Sequence, residues 1–174
     1  QPHGSRRRRH KGIAIEMKFS SARIYSLRIP FKAAFSHSMQ KRECSDSVIV
    51  ALTEDTGVVG FGEGAPRPYV TGETTAYCIR QISGDLLPLL KALDLPDKGS
   101  EADWKVLLQT VSSRLSAIGQ DTVIAWNAAK SAVELALIDC FLKRQRASAA
   151  VLAPPMMSTV TYSGVIAADS LEVV

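Results

Sequence analysis

Apolar and polar residues alternate along the first third of the chain, which is the pattern of strands with one buried face. Residues 18–29 alternate loosely and predict a first strand, which Pro30 ends or leaves at a sheet edge because proline has no N–H to donate. The β-branched run 47–55 and the run 58–63 flank a short turn and predict a hairpin. Residues 31–46 are polar, rich in serine and without a period, so we expect a loop there. Together the three strands predict an antiparallel meander.

The spacing of apolar residues becomes helical after residue 71. With Thr71 as N-cap, apolar residues recur every three or four positions and predict an amphipathic helix. Gly84 and Pro88 interrupt it, so we expect a kink or break near 84–88. The apolar positions of this helix are Ala76, Ile79, Ile82, Leu86, Leu90 and Leu93.

Two further helices follow from capping signals and composition. The sequence "SEAD" at 100–103 is a capping-box pattern that begins one helix, and Gly119 ends it. Residues 122–145 have the strongest helical pattern and carry cations at the C-terminal end, where the helix dipole favours them. Small residues leave one side of this helix smooth, so that another element can approach closely: Ala125, Ala128, Ala132 and Ala136.

The last residues of the chain predict the opening of a different architecture. Residues 146–158 resemble a linker, 159–167 are β-branched and predict a strand, and 168–174 predict the start of a helix. A strand followed by a helix opens a βα unit. A single parallel strand cannot bury itself, so we expect this chain to be one part of a longer one.

The charge of the chain is concentrated at its start. The chain has 174 residues and a formal net charge of +4, and residues 1–16 carry all of that excess. The run "RRRRHK" fits either a nucleic-acid arm or a disordered leader or tag. The rest of the chain has no basic patch, so we predict a leader over 1–16 and no nucleic-acid partner. Met17 is then the natural start.

Several classes of protein do not fit the sequence. The basic start is followed by "GIAIE" alone, which is too short for the apolar core of a signal peptide, and no apolar run reaches 18 residues. We therefore expect no membrane association. The three cysteines are widely spaced and form no CxxC pair, so the sequence predicts reduced thiols, a cytoplasmic location and no zinc site.

Three stretches, in this order, carry a resemblance to a known family: "GVVGFGEGAPRPYVTGET" from Gly57, "NAAKSAVELALIDC" from Asn127 and "TYSGVI" from Thr161. The first is neither a GxGxxG loop before a helix nor a P-loop. Together they resemble the amino-terminal part of the enolase superfamily. The muconate-lactonizing subgroup, and within it the dipeptide epimerases of the Ala-Glu type, is the most similar.

The resemblance implies an α+β fold. It divides the chain into an N-terminal capping domain at 17–150, with a three-stranded antiparallel meander and a helical bundle, and a linker with the first strand of a (β/α)₈ barrel at 151–174. Such a barrel needs about 250 residues, so the rest of it is absent from this sequence.

The resemblance also implies where substrate is bound. The segments near 35–42 and 65–72 correspond to two loops that lie over the substrate in this family. An acidic second residue in the dipeptide would require arginine where this chain has Gln40, so the preferred dipeptide stays open. The candidate substrate-binding residues are Phe35, His37, Gln40, Arg67, Tyr69, Val70 and Tyr162.

The chemistry of the family implies residues that this chain lacks. The resemblance implies proton transfer next to a carboxylate by two lysines, with Mg²⁺ held by barrel carboxylates. No K-x-K motif occurs in 1–174. We therefore predict that the chain holds no catalytic residue and no metal ligand, and that it is inactive alone. The complete protein is expected to be a homo-oligomer that acts on a small molecule, a dipeptide or related carboxylate.

Other functions stay open. Within the superfamily these are a muconate or chloromuconate cycloisomerase and an N-acylamino acid racemase. Outside catalysis, the chain fits a stand-alone docking module that uses the strand 159–167 and the Ala-rich helix face.

Four carboxylates are predicted to have structural roles. We expect Glu63 to accept backbone N–H bonds that fix its turn, and Glu73 to favour the N-terminus of the helix that follows it. Glu134 and Asp139 are expected to form ion pairs on the surface of their helix or between domains.

Overall fold

A computed structural model describes residues 18–37, 40–92, 101–120, 122–152 and 156–162. Its sheet has three antiparallel strands in the order β1 (Phe19–His37), β2 (Gln40–Glu54) and β3 (Val59–Gly64). Gly57 has a φ of 89° in the turn between β2 and β3, and its N–H donates to the carbonyl of Glu54 at 2.8 Å. The predicted meander is confirmed.

The hairpin of β1 and β2 is longer than the sequence predicted, and the loop expected at 31–46 is wrong. Backbone pairing continues past Pro30 to the pair of His37 with Gln40, with a shift in register between Pro30 and Phe35. Ile29 and the three residues after it are exposed. The sequence 31–46 therefore lacks the alternation of apolar and polar residues that marks a strand with one buried face. Pro30 is tolerated because β1 is an edge strand.

The break predicted near 84–88 is confirmed and is a turn of π-helix. It joins α1 (Thr75–Gln81) to α2 (Leu87–Lys91) over Ile82–Leu86, and the N–H of Leu87 reaches the carbonyl of Ile82. The predicted cap at Thr71 is wrong. The N-cap is Thr74, whose hydroxyl accepts from the N–H of Tyr77 at 3.1 Å.

The other two helices are α3 (Glu101–Ala117) and α4 (Asn127–Gln145). Gly119, two residues after the end of α3, has a φ of 68° and confirms the predicted stop. α4 begins at Asn127 instead of near 122, and Ala125 is exposed ahead of it. The three other alanines of the smooth face are buried in α4: Ala128, Ala132 and Ala136.

The element that approaches the smooth face of α4 is β3. A Cβ atom on Gly60, Gly62 or Gly64 would collide with the backbone of α4, at Ala136, Ala132 and Ala128 in turn. The glycines therefore bring the strand and helix backbones into direct contact. The core continues on this face of the sheet with residues from β2, the π turn, α2, α3 and α4: Val48, Val50, Leu52, Ile82, Leu86, Leu90, Leu107, Val111, Leu115, Val133, Leu137 and Phe141.

The end of the described chain has little regular structure. Ala149–Val151 form a short 3₁₀ helix inside the predicted linker. Residues 159–162 are not in a strand, and the strand predicted there is wrong for these residues. A strand needs a neighbour to pair with, and the described sheet consists of β1, β2 and β3. The rest of that strand and the leader 1–16 lie outside the described residues. No helix within the described ranges is long and apolar enough to cross a membrane.

Candidate functional site

A cavity of about 400 Å³ lies between the hairpin of β1 and β2 and the segment that follows β3. Both of the segments that were expected to lie over the substrate contribute to it, the first through its final residue, Arg42, and the second through Pro66, Arg67, Pro68 and Tyr69. The remaining lining residues are Arg28, Glu43, Cys44 and Asp46.

The register of the hairpin places three of these residues side by side. Arg28 pairs with Asp46, and Pro30 with Cys44, two positions further from the core. The Nε atom of Arg28 donates to Cys44 Sγ at 3.1 Å and lies 4.0 Å from a carboxylate oxygen of Asp46. The hydrogen bond to Cys44 is the main cause that raises the pKa of Arg28, with the charge of Asp46 adding to it. Arginine stays protonated at physiological pH, so Arg28 is a cation at the cavity wall.

Arg67 joins the two sides of the cavity. Its Nη1 donates to the carbonyl of Asp46 at 2.6 Å and to that of Pro66 at 2.7 Å, and its Nη2 donates to Ser45 Oγ at 3.3 Å. Its own carbonyl accepts from the N–H groups of Val70 and Thr71 at 2.9 and 2.8 Å. One residue therefore both forms the turn at 67–71 and ties it to β2.

Arg42 adds a third guanidinium. Its Nη2 donates to the carbonyl of Cys44 at 3.2 Å, and the group lies 5.5 Å from the ring centre of Phe31, a cation–π distance. Tyr69 and the two prolines supply the apolar part of the wall. The cavity can therefore accept a molecule with an anionic group and an apolar group.

The predicted site residues divide into three groups. Arg67 and Tyr69 line the cavity. Val70 is 69% exposed and Tyr162 is 90% exposed, and neither lines it. The backbones of the remaining three lie at the far end of the hairpin, and their side chains are outside the described part of the structure: Phe35, His37 and Gln40.

Sequence reasoning missed the contribution of the hairpin itself. Arg28 and Asp46 are 18 positions apart, and nothing in either residue's neighbourhood marks them as partners. They are partners in the β1–β2 hairpin, which was not predicted because residues 31–46 were expected to form a loop. The lining residues outside both predicted segments are Arg28, Glu43, Cys44 and Asp46. Arg42, Pro66 and Pro68 lie in those segments but were not named as site residues.

The buried carboxylate next to the site belongs to Glu73. Its two oxygens accept from the N–H groups of Ala128 at 2.8 Å and Ala129 at 3.2 Å, so it caps α4. This cap explains why α4 begins where it does. The sequence had predicted a role at the N-terminus of α1, the helix that follows Glu73, and this prediction is wrong. Glu63 is exposed and lies within β3 rather than in a turn.

The ion pair expected at Asp139 is confirmed and protects the edge of the sheet. Asp139 and Lys143 are 2.6 Å apart one helical turn from each other. The carboxylate of Asp139 accepts from the N–H of Phe61, and Lys143 donates to the carbonyl of Val59. These bonds satisfy backbone groups on the free edge of β3.

A second, buried ion pair was not predicted. Glu54, at the end of β2, is 1% exposed and pairs with Arg144 of α4, and its other oxygen accepts from the hydroxyl of Thr56 at 2.7 Å. It holds the turn between β2 and β3 against the helix. Over the ranges the structure describes, no three His, Cys, Asp or Glu side chains lie together as metal ligands.

Comparison with known families shows which family the chain belongs to. The model of the mandelate racemase/muconate lactonizing enzyme N-terminal domain matches residues 15–153. The chain belongs to this family, in the enolase superfamily, and its sheet and helices have the expected fold of an N-terminal capping domain.

Characterised relatives have different activities. The chain is similar to an o-succinylbenzoate synthase from Listeria innocua, with 32% identity over 136 residues, which are 77% of this chain and 32% of that protein. It is also similar to a hydrophobic dipeptide epimerase from Enterococcus faecalis, with 35% identity over 66 residues, 38% of this chain and 19% of that protein. The matched parts thus span a third of these relatives or less.

Solved structures share the fold. An enolase-superfamily member from Listeria innocua has a TM-score of 0.63 and 29% identity over 81% of this chain and 34% of its own. The substrate-liganded L-Ala-D/L-Glu epimerase from Bacillus subtilis has a TM-score of 0.55 and 28% identity over 73% and 32%. A dipeptide epimerase from Enterococcus faecalis, solved with Mg and L-Leu-L-Tyr, has a TM-score of 0.56, 23% identity and coverage of 76% and 32%.

Proposed function

We propose that this chain is the substrate-capping part of an isomerase that epimerises a dipeptide at one α-carbon. The observation that carries the proposal is the cavity, to which both segments expected to cover the substrate contribute. Relatives and neighbours of this chain that are dipeptide epimerases support the substrate class.

The cap binds and orients the substrate in this proposal. Tyr69 and the neighbouring prolines form a wall for an apolar side chain, and Arg42 faces the same space. Closing this space over the reaction site excludes water and holds the α-carbon in position. Within the part of the chain that the structure describes, no lysine lines the cavity, and the role proposed for it is recognition.

The proton-transfer lysines and the Mg²⁺ ligands are proposed to lie outside residues 1–174. Bound Mg²⁺ would stabilise the negative charge that develops on the substrate carboxylate. The described residues offer no set of ligands that fits the ion. We propose that the 174 residues alone turn over no substrate, and epimerisation by a verified 174-residue product would refute this.

The test begins with the complete coding region that contains this chain. We expect it to continue for the length of a barrel, with a K-x-K motif and spaced carboxylates. The encoded protein, incubated with a dipeptide library in D₂O, should place deuterium on one α-carbon of the preferred dipeptides, detected by mass spectrometry. A stop codon directly after Val174, or no exchange with any dipeptide, would overturn the epimerase proposal.

A second candidate comes from the relative that shares 32% identity over most of this chain, an o-succinylbenzoate synthase. That similarity keeps other reactions of the superfamily open, including cycloisomerase and N-acylamino acid racemase activities. Assaying the complete protein for o-succinylbenzoate synthase activity, and in parallel with dipeptides, N-acylamino acids and muconate, separates these candidates.

A non-catalytic docking module is the remaining alternative. It predicts that 1–174 occurs naturally as a separate chain and binds a partner through the strand expected at 159–167 and the Ala-rich face of α4. β3 covers that face of α4, which leaves the exposed residues 159–162 as the described part of this surface. A folded and monomeric 174-residue chain in size-exclusion chromatography would count against the need for a partner.

A further inference from the structure

We infer that Arg67 is a positioning residue that locks the segment 65–72 onto β2, and that it is not a ligand for the substrate. The inference rests on the proposed function, in which this segment covers the substrate, and it assigns to Arg67 a different role from the one expected from sequence.

The first observation is the use of the guanidinium. Two donors of Arg67 are directed at backbone carbonyls, Asp46 at 2.6 Å and Pro66 at 2.7 Å, and a third at Ser45 Oγ. Hydrogen bonds from a charged donor to carbonyl oxygens are stronger than those between neutral groups. Within the described ranges, no carboxylate lies at ion-pair distance from Arg67. Its guanidinium therefore bonds to neutral acceptors, two backbone carbonyls and one hydroxyl, and connects its own segment to β2.

The second observation is the turn that Arg67 begins. Its carbonyl accepts from Val70 N, Thr71 N and the hydroxyl of Thr71, and the N–H of Glu73 in turn donates to that hydroxyl. Glu73 caps α4. A continuous set of hydrogen bonds therefore runs from β2 through Arg67 and Thr71 to the start of α4.

The position of Tyr69 follows from this set of bonds. Tyr69 lies inside the turn that Arg67 closes, and it lines the cavity together with Arg28 and Arg42. Two prolines flank Arg67 and limit the backbone, but Pro66 and Pro68 supply no N–H and cannot fix the segment to β2. Arg67 supplies that attachment, so the shape of the cavity depends on it.

The test uses the complete protein with Arg67→Met, Arg67→Lys and the matched control Arg114→Met, which makes the same change at an exposed arginine of α3. For Arg67→Met we expect kcat/KM to fall on the order of 10²-fold, the effect of misplacing groups around a substrate. The fall should be equal for an acidic and an apolar dipeptide. A loss confined to acidic dipeptides, with activity kept in Arg67→Lys, would show a direct contact with substrate and overturn the inference.

A second readout does not depend on catalysis. Backbone amides of residues 69–72 should exchange with D₂O at least roughly tenfold faster in Arg67→Met, while amides of β3 and α4 keep their rates. The control should match the wild type at both sites. Unchanged exchange at 69–72 would overturn the inference, and so would faster exchange in every element, which would mean general unfolding. If the wild type has no epimerase activity, the proposed function fails while the exchange experiment still decides the role of Arg67.

Discussion

The same face of one sheet carries two regions built in opposite ways. Where β3 meets α4, glycines and alanines bring two backbones into contact, and the residues are buried. Where the hairpin extends beyond the core, arginines, prolines and Tyr69 surround an open cavity. The first region depends on the absence of side-chain volume and the second on the positions of charged side chains. Close packing of β3 on α4 stabilises the fold, and the charged side chains around the cavity determine which molecules can bind there.

The largest effect is expected from adding volume to the packed region. Gly62→Ala places a Cβ against the backbone of Ala132 and Ala136, so α4 must move away from the sheet. We expect the free energy of unfolding to fall by about 3 kcal/mol, the upper part of the range for overpacking. Urea denaturation measures this value.

The matched control is also a Gly-to-Ala substitution, but we expect it to raise the free energy of unfolding. A Cβ on Gly84 meets nothing within 4 Å in the π turn. Gly84→Ala should therefore raise the free energy of unfolding by about 0.5–1 kcal/mol, by removing freedom from the unfolded chain. Equal destabilisation by the two variants would show that close approach of backbones is not what Gly62 provides.

The next effect tests the polar group that connects the two regions. Glu73 is fully buried and accepts two N–H bonds from α4, so Glu73→Ala should lower the free energy of unfolding by about 2–3 kcal/mol. Thr74→Ala removes the exposed cap of α1 and should cost about 1 kcal/mol. A larger loss for Thr74→Ala would contradict the cap assigned to Glu73.

The next effect is expected from alkaline pH. Burial and the neighbouring charge of Glu73 raise the pKa of Cys78 from 9.0 to about 12. The folded state therefore holds this proton more tightly than the unfolded state. The resulting stability is complete below about pH 9 and is lost as pH rises towards 12, at no more than about 1.4 kcal/mol per pH unit.

Thermal unfolding between pH 8 and 11 measures this slope. Cys78→Ala should reduce it, and part should remain because burial also raises the pKa of Cys140. Identical slopes in the wild type and the variant would mean that the thiol of Cys78 does not contribute.

The last prediction concerns the rate of thiol modification in the two regions and involves no change in stability. Cys78 and Cys140 are fully buried, whereas Cys44 is half-buried and lines the cavity. Iodoacetamide at pH 8 should modify Cys44 alone in the folded protein, as read by peptide mass spectrometry. A dipeptide that occupies the cavity should slow this labelling. Labelling of Cys78 at the rate of Cys44 would show that the core opens as readily as the cavity.

Local pattern was enough to predict much of the packed region. The meander, the break near 84–88, the stop at Gly119 and the small face of α4 were all predicted from spacing and residue type, because each depends on neighbours within a few positions. The resemblance to the enolase superfamily likewise depended on motifs that are continuous in sequence. The division at 17–150 and 151–174 stays a prediction.

The cavity could not be predicted in the same way. It depends on pairs such as Arg28 with Asp46 and Arg67 with Asp46, which are distant in sequence and meet only through strand register and the turn after β3. The exposed end of the hairpin lacks the alternation that would have revealed the strands.

The sequence by itself determined most of the elements of the packed region, their small or apolar faces and the family, since short-range spacing carries that information. Only the tertiary structure decided that Glu73 caps α4, that the glycines contact the backbone of α4 and that Arg67 fastens its segment to β2. These are contacts between distant parts of the chain, and their geometry depends on how whole elements pack.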